Sequence, residues 1–426
     1  MDTITHGISG ALMAKALFNG DDLFSSGPMT RQRILTWSTT LGAIFPDSDV
    51  LRELLSHDDL LIISWHRSIT HSLLCLPFFA LLLAALTRWV ARWRKWDAPS
   101  LAVLTGLYAA GILSHILLDL VTSFGTMVWS PLKWSRPAWD LIFIVDFSFT
   151  AILLVPQILA WVQERPEKAR RRAIGSFAIF AMAVFVIQRI ADAVGAPISS
   201  ASVLLFVLIL AGFFLLPLPT AETVQRSQRS DLESREVARA NVRWRWNQFG
   251  LMAACAYLGL AVLAHHFALS RVRNFAALQK LDVQSLGALP FPPSLWRWDG
   301  LVRTAGGVYE VRMDLSQRSP FETYSGANPA GRSSIAQPER PPIEYRFYPE
   351  ANPNAYIKAA RELSEVQKVL WFDRFPVTRY HEEHGEPIVE FSDLRFPRMG
   401  RRRTPSFTYR VRFSPDGKVL EQGWIK

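Results

Sequence analysis

Residues 101–120 read LAVLTGLYAAGILSHILLDL. The run holds one charged residue, Asp119, and one imidazole, His115. About 20 apolar residues are enough to cross a bilayer core, so the stretch predicts a transmembrane helix over 100–123. An ionisable side chain at bilayer depth costs about 2.5–3.5 kcal/mol on insertion scales, so both residues need a reason to be there. They are spaced i, i+4 and share one helical face. Imidazole and carboxylate on one face form half a site for zinc or another transition metal. The alternative is a buried His–Asp hydrogen-bonded pair that fixes helix packing.

Three more groups upstream raise the same question: Thr5-His6-Gly7, Pro46-Asp47-Ser48-Asp49 and His66-Arg67-Ser68-Ile69-Thr70-His71-Ser72. Each lies in or beside an apolar stretch. Asp47 and Asp49 follow a helix-ending Pro46 and can present two carboxylates to a cation, or cap the next segment. His66 and His71 are five apart, a poor match to one helical face. A break near Ser68–Thr70, with Thr70 capping the next helix, lets them converge. Arg67 suits an anionic substrate group or phosphate, or else anchors the surface. Asp2 is placed to orient His6. Asp140 and Asp146 are further candidates, Asp146 as ligand, base or supporting hydrogen-bond acceptor. Seven residues of metal-ligand type, His6, Asp47, Asp49, His66, His71, His115 and Asp119, point to one common cause: a divalent metal site.

The apolar segments number eight: 3–18, 33–47, 70–90, 100–123, 140–162, 173–193, 200–218 and 249–269. The first two are short for a full crossing. Loops rich in Lys and Arg alternate with poor ones. Lys15, Arg31 and Arg33 lie on one side with Arg88, Arg92, Arg94 and Lys95, with Arg165 to Arg172, and with Arg226 to Arg245. By the positive-inside bias those loops are cytoplasmic, and both termini and the metal site are extracytoplasmic. This topology brings every His/Asp group to one level without using them as input. Loop tryptophans such as Trp89, Trp93, Trp129, Trp134 and Trp139 suit an interfacial belt.

The predicted fold class is mainly α: a polytopic transmembrane helical bundle with a C-terminal soluble α+β domain. Residues 1–165 form the membrane-embedded metal-site core. Residues 166–270 add transmembrane helices and an Arg-rich cytoplasmic loop, 219–248. Residues 271–426 form the extracytoplasmic α+β domain. There, 301–315 and 342–348 read as strands, 353–368 as a helix, 407–424 as a hairpin turning at Asp416-Gly417, and 317–341 as a loop. The 426 residues carry a net charge of +10. Most of the surplus is in short loops, which disfavours nucleic acid as the partner and favours the lipid bilayer. Two cysteines, Cys75 and Cys255, both in apolar stretches, exclude a disulfide framework and a Cys-based zinc site.

The four motifs, including Gly42-Ala43-Ile44-Phe45-Pro46-Asp47-Ser48-Asp49 and His115-Ile116-Leu117-Leu118-Asp119-Leu120-Val121-Thr122-Ser123-Phe124-Gly125, resemble the YdjM-like family. That is a family of bacterial inner-membrane proteins described as metal-dependent hydrolases, one member of which is named for LexA binding. The resemblance covers roughly residues 1–165. It implies a hydrolase and a metal, with no substrate.

The reading is therefore a membrane-bound metal-dependent hydrolase of the bacterial inner membrane, holding one or two ions. Zinc is favoured by the histidines, and manganese is admitted by the carboxylates. Asp49 or Asp146 is the base, Arg67 holds a phosphate, and the substrate is a lipid-like ester or phosphoester. The competing reading is a non-catalytic scaffold with a structural metal that presents the C-terminal domain to an envelope partner.

Overall fold

The structure, a computed structural model, describes residues 1–21, 29–56, 58–193, 200–216, 232–292, 294–316, 345–396 and 407–425. The loop 317–341, the stretch 194–199 and the first part of the connector, 219–231, lie outside the described residues.

The helices of the first half are α1 (Thr3–Leu17), α2 (Arg31–Ile44), α3 (Val50–Leu55), α4 (Leu61–Ser64), α5 (Leu76–Arg94), α6 (Leu101–Leu120), α7 (Phe147–Gln163), α8 (Pro166–Ala193), α9 (Ser200–Leu215) and α10 (Leu232–Leu278). Among the described residues, four segments are long and apolar enough to cross a membrane: Leu76–Arg94, Leu101–Leu120, Pro166–Arg189 and Val237–Leu278. At 15 and 14 residues, α1 and α2 are about 21–23 Å long, short of a hydrocarbon core of about 30 Å.

Local chemistry sets the ends of these helices. Thr30 caps α2 through Arg33 N, and Ser100 caps α6 through Val103 N. Pro46 cannot continue α2 and opens a short 3₁₀ turn, Phe45–Asp49, that carries both aspartates. The third apolar segment begins later than expected, at Leu76 with Cys75 before it, so Thr70 does not cap it. Residues 65–75 are turns and a single 3₁₀ turn, Ile69–His71. The fifth begins at Phe147, because Asp146 is its cap. The eighth is far longer than 249–269, since the polar residues after Leu232 continue as the same helix.

Small residues set the helix crossings around the future site. An added Cβ on Gly111 of α6 would lie 2.4 Å from Thr39 O and 2.8 Å from Ala43 N of α2. On Gly10 of α1 it would lie 2.7 Å from Ala43 Cβ. The backbones of α1, α2 and α6 meet where side chains are missing, as in close transmembrane helix packing.

The C-terminal region holds two four-stranded antiparallel sheets. The first is β1 (Ser285–Phe291), β2 (Arg297–Thr304), β3 (Gly307–Asp314) and β4 (Tyr345–Pro349), in that order. The second is β5 (Pro376–Glu383), β6 (Glu386–Asp393), β7 (Thr408–Phe413) and β8 (Val419–Trp424). The stretch 301–315 is thus most of a hairpin, broken at Ala305-Gly306. The 407–424 hairpin turns with Gly417 at φ 87°. The helix at 353–368 is two helices, α11 (Ala355–Glu362) and α12 (Ser364–Phe372), split by the extended Leu363. The first sheet rides on the end of α10, where Val272, Phe275 and Ala276 pack with Ala288, Trp298 and Val302. The second shares a core with Leu60, Ile63 and Phe124 from the first half. That shared core puts the second sheet directly over the His/Asp motifs.

Candidate metal centre

Asp47, His71, His115 and Asp119 each offer a ligand atom, and these atoms all lie within 4.8 Å of one another. The Nε2 atoms of His71 and His115 are 3.0 Å apart. Asp119 Oδ2 is 3.2 Å from His71 Nε2 and 3.4 Å from His115 Nε2. Asp47 Oδ1 is 3.4 Å from His115 Nε2 and 3.8 Å from His71 Nε2. His71, His115 and Asp119 are fully buried, and Asp47 alone keeps some side-chain exposure, 10%.

The glycine crossing explains how His115 arrives. It lies one turn beyond Gly111, and its Nδ1–H donates to Ala43 O at 2.6 Å, across the α2–α6 contact. That bond directs the Nε2 lone pair into the cluster. His71 is aimed in the same way. The Thr70 hydroxyl donates to Asp49 Oδ2 (3.3 Å) and accepts from His71 Nδ1 (3.0 Å). Two Nε2 lone pairs thus face each other in a sealed pocket with two carboxylates. Asp119 Oδ2 has no hydrogen-bond partner there. A buried acceptor without a donor is costly, and a cation held by the four groups would satisfy it. The donor set of two imidazoles and two carboxylates fits a divalent transition metal.

The other sequence candidates take separate positions around this centre. His6, on α1 one turn from Gly10, stacks on His115 with ring centroids 3.6 Å apart and places Nε2 3.2 Å from Asp119 Oδ1. Asp2 does not reach its ring; Asp2 caps α1 through Thr5 N and Thr5 Oγ1. Asp49 stands behind the cluster and accepts from His66 Nδ1 (3.0 Å) and Arg67 N (2.9 Å). His66 is therefore tied to Asp49, outside the group of four. Asp47 is further held by Thr3 Oγ1 at 2.5 Å.

Arg67 turns inward rather than out to a substrate. Its backbone is left-handed, φ 60°, its side chain is 2% exposed, and its guanidinium is 3.0 Å from Asp119 Oδ1 and 3.1 Å from Thr122 Oγ1. The Met1 amino group also donates to Asp119. Asp146 stands away from the centre. Its Oδ1 caps α7 through Ser148 N and Phe149 N, and its Oδ2 accepts from Tyr257 OH at 2.7 Å. Its contacts thus run to the start of α7 and to Tyr257, and Asp146 is not one of the four converging groups. Asp140 instead takes a two-point ion pair from Arg374, at 2.8 and 2.9 Å, that ties the bundle to the segment before β5.

Sequence reading missed that Thr70 and Ala43 O orient the two imidazoles and that C-terminal aromatic residues pack on Phe124. Phe124, which sits under the Arg67 guanidinium, also contacts Phe372, Phe396 and Phe407. Arg136 donates to Ile63 O and His66 O and lies over Phe124 and Phe372. The available signal was the pairing of histidines with glycines four residues away, His6 with Gly10 and Gly111 with His115.

Residues 1–194 match the family model described as YdjM inner membrane protein, as the four motifs led us to expect. The match contains all seven candidate ligands and ends before the two sheets. No curated protein and no solved structure matches the chain significantly.

Proposed function

We propose, taking residues 1–194 as YdjM inner membrane protein sequence, that this chain is a membrane-bound metal-dependent hydrolase acting on a lipid-like ester or phosphoester. The observation that carries the reading is the sealed convergence of two imidazole Nε2 atoms and two carboxylates, with Asp119 Oδ2 left unpartnered. His71, His115, Asp47 and Asp119 would hold one divalent ion, zinc favoured by the imidazoles and manganese a second option. When bound, such an ion supplies a Lewis acid that makes water a competent nucleophile near neutral pH.

The surrounding residues divide the remaining work. Asp49, through Thr70, keeps His71 in the tautomer that points Nε2 inward. Arg67 offsets the charge of Asp119 and so lets two carboxylates stand side by side in a buried site. His66 takes the place of Asp49 or Asp146 as the proton acceptor. Its Nδ1 is bound to Asp49, and it is the one nearby imidazole with side-chain exposure, 16%. His6 packs the buried side of His115.

We also propose that the site lies at the extracytoplasmic end. Helix α5 leaves the level of His71 and ends in Arg92 and Arg94, about 28 Å further along its axis, which supports placing the basic loops on the opposite, cytoplasmic side.

The scaffold reading is favoured by one feature: three of the four ligands are fully buried, as in closed structural metal sites. Elemental analysis of purified wild type, Asp47→Ala and His115→Ala tests the metal. Unchanged metal content in both variants refutes the reading. Hydrolysis of lipid esters and phosphoesters by the same three proteins then separates enzyme from scaffold.

A further inference from the structure

A cavity of about 350 Å³ lies between the first half of the chain and the two sheets, within the size range of small-molecule sites, about 300–1,000 Å³. His66, Arg67 and Phe124 form one wall. Leu289 and Phe291 of β1 and Phe396 after β6 form another. Its lining is mostly apolar. The charged groups that reach it are already engaged. Arg67 is on Asp119, while Arg395 donates to Asp393, to Ser123 O and to Phe372 O. Asp299, the one acid among the described residues of the lining, has its carboxyl pushed up by burial and by the neighbouring Glu310 to about 7. Among the described residues of the lining, no unpaired charge is offered to a polar ligand.

The cavity also borders an exposed apolar stretch of the chain. Phe143 and Ile144 line it, and the chain runs on through Val145 and Phe147, which are 37% and 55% exposed, into α7. Exposed Trp129, Trp134 and Trp139 precede this stretch in the chain, a residue type enriched at membrane interfaces. An apolar chamber that begins at His66, behind the metal cluster, and borders an apolar rim fits one occupant: hydrocarbon.

We propose that the cavity holds an acyl chain of a membrane lipid whose ester or phosphoester linkage lies at His66, so that the two C-terminal sheets form the chain-selecting wall of the site. This rests on the hydrolase reading for the linkage and on the cavity itself for the chain. On this account the sheets, which lie beyond the YdjM match, decide how long a chain the site accepts.

The test uses the full chain in nanodiscs of phosphatidylethanolamine and phosphatidylglycerol carrying a trace of phospholipid with a mid-chain diazirine. Cross-linked peptides are mapped by mass spectrometry. Peptides containing Phe143–Ile144, Leu289–Phe291 or Leu394–Phe396 should be enriched about tenfold over those of α5, whose lipid-facing surface has no such chamber; tenfold corresponds to about 1.4 kcal/mol of preference. Filling the chamber with Leu289→Trp, or from the rim with Ile144→Trp, should remove that enrichment and leave metal content unchanged. Labelling no stronger than on α5, labelling concentrated on α1, or labelling indifferent to both substitutions overturns the proposal. Metal content read on the same samples separates the two ideas. Chain labelling without metal keeps the cavity and removes the hydrolase, and metal without chain labelling does the reverse.

Discussion

Replacing His115 with Asn separates ligation from architecture. The Asn amide nitrogen falls where imidazole Nδ1 stood, so the bond to Ala43 O (2.6 Å in the native protein) is kept while Nε2 is deleted. Lost with it are the stack on His6 and some buried volume, for which about 1–3 kcal/mol is a reasonable cost. The metal contribution is of another kind. An ion present at about 1,000 times its Kd, and bound only by the folded chain, stabilises it by about 4 kcal/mol. For a unit of this size that is a Tm shift on the order of 10 °C. Wild type should therefore lose about 10 °C on treatment with a chelator. His115→Asn should melt a few degrees below the chelated wild type and show no further response. Intrinsic tryptophan fluorescence of the detergent-solubilised chain reads both, beside elemental analysis. An equal chelator response in the two proteins, or none in wild type together with no bound metal, would falsify the metal centre.

Three further outcomes follow from the same contacts. Arg67→Met leaves the buried Asp119 carboxylate without its guanidinium; breaking a buried pair costs about 3–5 kcal/mol, and the loss should be larger with chelator than with metal, as measured by thermal unfolding in each condition. Asp299 has a folded pKa of about 7 against an ordinary 3.8, so folding favours its protonated form and stability falls as pH rises from about 4 to 7; Asp299→Asn should recover up to about 4 kcal/mol at pH 8 and almost nothing at pH 4, and a pH-independent effect would refute that burial cost. Arg374→Met breaks the two-point pair with Asp140 at a cost of about 1–3 kcal/mol, discounted because Arg374 is a third exposed; hydrogen exchange in Pro376–Asp393 should speed up while metal content stays fixed.

Much of the centre was legible because its parts are local. Apolar runs announce helices, and an i, i+4 spacing places His115 and Asp119 on one face whatever surrounds them. Loop charge brought the motifs to one level, and in the structure His6, Asp47, Asp49, His66, His71, His115 and Asp119 do gather around one another. What the motifs did not carry is the division of labour among them. His66 and His71 look equivalent in sequence, yet Asp49 takes the first on Nδ1, while Thr70 turns the second so that Nε2 faces His115. Asp146 reads as a costly buried acid, but Ser148 N, Phe149 N and Tyr257 OH, the last from 111 positions away, use both its oxygens.

The chain of letters alone determined where helices form, which residues are too polar to bury without a partner, and that a metal is the economical explanation. Periodicity, hydropathy and proline act over a few residues, so they survive in one dimension. Only the tertiary structure decided which four donors converge, that Arg67 points at Asp119 and not at solvent, and that segments of the two-sheet region share a cavity with His66 and Arg67. The reason is geometric. Which partner a side chain finds depends on how closely backbones approach at Gly10, Gly42 and Gly111 and on segments hundreds of residues apart. Neither is written in the spacing of any single motif.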